Sequence, residues 1–112
     1  MSELRTIRHH IGGRDVDPVN RAWLDDVTPA TGAVHARIAA GDAADVQLAV
    51  TAARNAFPGW SATPAAERSR ILVGIADALE RDIERFVEAE SVDAGKPVAL
   101  ARRLDIPRAV AN

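Results

Sequence analysis

The apolar residues change their spacing near residue 40, and that change limits what the chain can fold into. Before it, they sit in short runs between tight turns. After it, they recur every three or four residues. Period two belongs to strands and period 3.6 to helices. The expected architecture is therefore α+β, with short antiparallel strands over residues 1–40 and amphipathic helices over 42–112.

The first part is punctuated by turn signals. Arg8-His9-His10-Ile11 reads as extended, and Gly12-Gly13 after it is a hairpin signal, since both positions tolerate positive φ. Val16 to Val19 reads as irregular, because Pro18 disfavours a central strand. Trp23 to Val27 is a second extended stretch, closed by a Pro29-Ala30-Thr31-Gly32 turn. Val34 to Ile38 alternates, with His35 and Arg37 on the face opposite Val34 and Ile38.

Helical signals follow. Asp42 is a good N-cap, and Asp45 three residues on completes a capping box with a shorter acid. Val46, Ala49, Val50, Ala53 and Phe57 form one apolar stripe, which Pro58-Gly59 is expected to end. Thr63 is the expected cap of a second helix, with Pro64 at its first position. Ile71, Leu72, Ile75 and Leu79 are its expected buried face. A bend near Asp82 leads to a third helix carrying Ile83, Phe86 and Val87 inward, with Gly95 as its C′ residue and Pro97 beyond. A short helical piece, Ala99 to Leu104, precedes a helix capped by Asp105. That last helix has only about two turns before Asn112, a length marginal by itself, so the chain reads as interrupted.

Composition narrows the function classes. The net charge of -2 comes from 14 basic and 16 acidic residues, well mixed, unlike a nucleic-acid-binding face. There is no cysteine, which removes disulfides, thiolate metal sites and a cysteine nucleophile from these residues. No apolar run is long enough for a membrane span, and the start lacks a secretory pattern, so a cytoplasmic protein is expected.

Individual candidates are weak. His9 and His10 would point to opposite faces of a strand and cannot easily share a metal ion. Gly95-Lys96 lacks the spacing of a phosphate loop, with Glu90 and Pro97 where glycine and Ser/Thr belong. Gly12-Gly13 has no third glycine or following helix for a dinucleotide fingerprint. Asp77, Arg81, Arg85 and Glu88 read as a solvated helical face, and Trp23 and Trp60 as packing anchors. No catalytic or cofactor-binding residue is expected in these residues.

Several segments in order carry a family resemblance. They are His10-Ile11-Gly12-Gly13, Thr28-Pro29-Ala30-Thr31-Gly32, Asp45-Val46, and Ala56-Phe57-Pro58-Gly59-Trp60. Further along come Glu67-Arg68, Ala76-Asp77, Asp93-Ala94-Gly95-Lys96-Pro97 and Asp105-Ile106-Pro107-Arg108. Together they resemble the start of the aldehyde dehydrogenase superfamily. The stretches from Glu88 to Pro97 and from Asp105 to Arg108 are most similar to 2-hydroxymuconic semialdehyde dehydrogenases, with betaine-aldehyde-type enzymes the other option.

The resemblance implies an α/β parent with a Rossmann-like coenzyme domain. It also implies oxidation of an aldehyde with NAD or NADP, through a cysteine thiolate and a glutamate-activated water. It places those parts beyond Asn112, so this chain alone is expected to be inactive and to bind no coenzyme. A homo-oligomeric parent is implied, with no nucleic-acid or membrane partner. Some members hold a monovalent cation through backbone carbonyls, and the matching positions are Val27 and Asp93. The rival expectation is a free-standing helical interaction module, or a gene remnant, without catalysis.

Overall fold

Gly12 and Gly13 both hold positive φ, at 60° and 77°, and fold the chain back on itself in a tight hairpin. The computed structural model describes residues 4–112. Strands β2 (His9–Ile11) and β3 (Arg14–Val16) flank that turn and pair antiparallel, with His10 opposite Asp15. The sequence marked the turn and the first of these strands.

A second sheet has three strands in the order β1-β5-β4, made of β1 (Arg5–Ile7), β4 (Trp23–Val27) and β5 (Val34–Ala39). The strands at Trp23 to Val27 and from Val34 stand where the apolar pattern puts them. β4 and β5 are antiparallel, with a bulge at Asp26/Val27. β1 differs from expectation, for it pairs parallel to β5. Nothing in Arg5-Thr6-Ile7 marks a strand locally; the free edge of β5 orders it through backbone hydrogen bonds.

The helices are α1 (Ala43–Ala62), α2 (Ala65–Arg81), α3 (Ile83–Ala94), α4 (Val98–Leu100) and α5 (Ile106–Ala111). The chain divides into two compact units. One takes the strands and α1; the other takes Thr28–Gly32 and everything from Thr63.

In the first unit, α1 corrects the expected stop at Pro58-Gly59 by running through both residues. Pro58 removes one amide donor, but the helix continues until Pro64, which disfavours α geometry at Thr63. The stripe on α1 is not buried: Val46 is 61% exposed and Phe57 66%. Among the described residues of this unit, the buried ones are Ala36, Pro18 and one charged group, Asp45.

In the second unit, Pro64 itself occupies the cap position of α2, one residue later than expected. Its carbonyl accepts the Glu67 and Arg68 amides. The face of α2 read as buried is largely open, with Ile71, Leu72 and Ile75 all exposed and only Leu79 half-buried. The bend at Asp82 is present, and α3 buries Val87. Phe86, expected inward, is partly exposed. Gly95 ends α3 in the left-handed conformation, φ 68°, as its position implied.

Residues after Pro97 form one unbroken helical path instead of two pieces. A π turn, Ala101–Asp105, joins α4 to α5, and the Ile106 amide donates to the Ala101 carbonyl. Asp105 has ordinary helical dihedrals and makes no cap, contrary to expectation. Pro107 offers the physical reason. Its ring crowds the carbonyl four residues back, and widening the preceding turn relieves that contact. Arg102 in the π turn grips Glu84 of α3 with two hydrogen bonds, 2.9 and 2.6 Å.

Candidate functional site

Among the described residues, each unit holds a gathering of charged side chains. The first is the N-terminus of α1. Asp42 Oδ1 accepts the Ala44 amide at 2.8 Å, and Asp45 Oδ2 reaches back to accept the Asp42 amide at 3.0 Å. This is the reciprocal capping box expected from the spacing. The other Asp45 oxygen accepts the Val19 amide at 2.9 Å, a bond the sequence did not announce. These two main-chain donors, Asp42 first and Val19 second, hold the Asp45 carboxyl below the usual aspartate range against the opposing effect of burial.

His9 faces this carboxylate. Its Nε2 lies 3.7 Å from Asp45 Oδ1, is buried, and has no hydrogen-bond partner among the described residues. His10, next along the strand, points the other way and meets Asp15 Oδ1 at 2.9 Å on the surface. The two imidazoles therefore sit on opposite faces, as strand geometry requires. An open cleft of about 290 Å³ lies beside His9, walled by Ile11, Gly41, Asp45, Val46 and Ala49. Gly41 is small for a reason: a Cβ there would lie 3.0 Å from His9 Cε1.

The second gathering surrounds Lys96, the chain's only lysine. Its Nζ lies 2.8 Å from Asp105 Oδ1 and 3.6 Å from Glu90 Oε1. The Asp105 hydrogen bond, above all, raises the lysine's pKa from its ordinary value. The ammonium thus ties the loop after α3 to the π turn. It is a poor proton donor at neutral pH and reads as an anchor. Asp77, Arg81, Arg85 and Glu88 are all exposed, in keeping with a solvated face. Trp23 is half-buried, while Trp60 is exposed on the last turns of α1.

The two positions matched to a cation site lie as follows. Val27 is the last residue of β4, beside the bulge. Asp93 is in the last turn of α3. Its carbonyl has no i+4 amide to accept, because residue 97 is proline.

These residues do not fit a dinucleotide. A pyrophosphate needs free amides at a helix N-terminus, reached by a glycine-rich turn. The Gly12-Gly13 turn leads into a strand, and Gly95 ends a helix. The N-terminus of α1 is filled by its own two carboxylates, and α2 and α3 carry Glu67 and Glu84 in their first turns. No described helix is long and apolar enough to cross a membrane.

The profile of the aldehyde dehydrogenase family matches residues 16–112. The chain is 47% identical over 91 residues to human (Homo sapiens) 2-aminomuconic semialdehyde dehydrogenase, covering 81% of this chain and 19% of that protein. It is 41% identical over 110 residues to 2-hydroxymuconic semialdehyde dehydrogenase of Pseudomonas sp. (strain CF600), covering 97% of this chain and 23% of that one. The structure of PnpE from Pseudomonas sp. WBC-3 superposes with a TM-score of 0.93 at 46% identity, over 95% of this chain and 22% of that one. A PnpE structure in complex with nicotinamide adenine dinucleotide matches at a TM-score of 0.93 and 47% identity, over 94% and 22%. The chain thus spans about a fifth of the length of the relatives it matches. With both sequence and backbone in register along nearly all of its residues, this chain belongs to the aldehyde dehydrogenase family.

Proposed function

We propose that this chain is the N-terminal structural segment of an NAD(P)-dependent aldehyde dehydrogenase, and that the whole enzyme oxidises a muconic-type semialdehyde to a carboxylic acid. The observation that carries this reading is the match to 2-hydroxymuconic semialdehyde dehydrogenase across 97% of the chain. The human relative is named for a related semialdehyde. The segment's part is architectural. It holds no cysteine, so the thiolate chemistry belongs to other residues. Its exposed apolar residues on α1 and α2 suit helices that pack against further protein. NAD or NADP as acceptor, a homo-oligomeric state and a cytoplasmic setting go with the same reading. So does a monovalent cation as ligand of the Val27 and Asp93 carbonyls, tested by whether sodium or potassium raises the enzyme's thermal midpoint.

The test is a segment swap. Residues 5–111 replace the matching stretch of the 2-hydroxymuconic semialdehyde dehydrogenase of Pseudomonas sp. (strain CF600), and reduction of NAD is followed with 2-hydroxymuconic semialdehyde. The swapped enzyme is expected to fold and turn over, and the 112-residue chain alone to show no turnover. A soluble, folded swap without activity would overturn the structural assignment. Turnover by the chain alone would overturn the inactivity. Cooperative unfolding of the chain alone, without binding of an apolar dye, would favour a free-standing module.

A further inference from the structure

We draw no further inference here: the strongest candidate, the open cleft between the His9–Ile11 strand and the N-terminus of α1 where His9 Nε2 faces Asp45, is walled by a carboxylate already bonded to two main-chain amides, and nothing in the structure shows what would enter it.

Discussion

The Val19 amide donates to Asp45 Oδ1 across 26 residues of sequence, at 2.9 Å. With its other oxygen on the Asp42 amide, one buried side chain fixes both the start of α1 and the loop that precedes β4. Replacing it with alanine leaves two main-chain donors without that acceptor. In Asp45→Ala, amide exchange at Val19 and Asp42 is expected to accelerate by about tenfold or more, the scale of a hydrogen bond to a charged group. Hydrogen exchange read by NMR checks this. Unchanged protection at Val19 would show that the bond contributes nothing.

The same carboxylate sets a pH dependence. Its pKa lies below the ordinary 3.8 because the Asp42 and Val19 amides favour the charged form. Glu84 is likewise lowered from 4.5, chiefly by its hydrogen bond to Arg102. A depressed folded-state pKa gives stability that is present above the unfolded value and lost as pH falls through the folded one. Acid unfolding should therefore set in below the ordinary carboxylate values. Asp45→Asn should flatten that limb of a pH titration of helix signal. A variant with the wild-type slope would refute the assignment.

Lys96 gives the opposite sign. Its pKa is raised from 10.5, first by the Asp105 hydrogen bond, so its contribution is full below that value and fades as pH rises through the raised one. Lys96→Met strands Asp105, whose Oδ2 is buried and already lacks a partner among the described residues. Exchange of the α5 amides should rise by about tenfold, as expected when a charged hydrogen bond is lost. Lys96→Arg should recover part of the protection. Equal behaviour of Met and Arg would mean that the ion pair is not holding the π turn.

Gly95 and Gly12 make a controlled pair. Both hold positive φ, at 68° and 60°. A Cβ at Gly95 would come within 2.9 Å of Pro29 Cβ, whereas at Gly12 it would meet Ala52 Cβ at an ordinary 3.9 Å. Gly12→Ala should lose only the left-handed backbone term, about 1–2 kcal/mol. Gly95→Ala should lose that and more, since Pro29 has to shift. Denaturant midpoints in the segment-swap enzyme would show the order, and equal losses would remove the Pro29 contact from the account.

Pro58 sits inside α1, where it removes the amide that would bond the Arg54 carbonyl. Pro58→Ala restores that donor, and a proline in a helix interior is about 3 kcal/mol less favourable than alanine. The variant should raise the helix's resistance to thermal melting, followed by circular dichroism. A lower midpoint would mean that the proline ring packs against a neighbour that alanine cannot reach.

The sequence by itself determined what depends on neighbours along the chain. Gly12-Gly13, Gly95 and the Asp42/Asp45 spacing mark their turn, stop and cap because the reason lies in the local backbone. The ordered motifs from His10 to Arg108 carried the family in the same way. Tertiary structure decided the rest. Arg5-Thr6-Ile7 becomes a strand only because β5 offers an edge. The helix starting at Ala43 runs past Pro58, and Asp105 lies within a π turn and accepts from Lys96 instead of capping. Val19 meets Asp45, and His9 faces the same carboxylate, through contacts with no local signal. A short-range rule reads dihedral preference and spacing. It cannot read which distant donor arrives at a buried oxygen, and that arrival selects the partners at both charged sites.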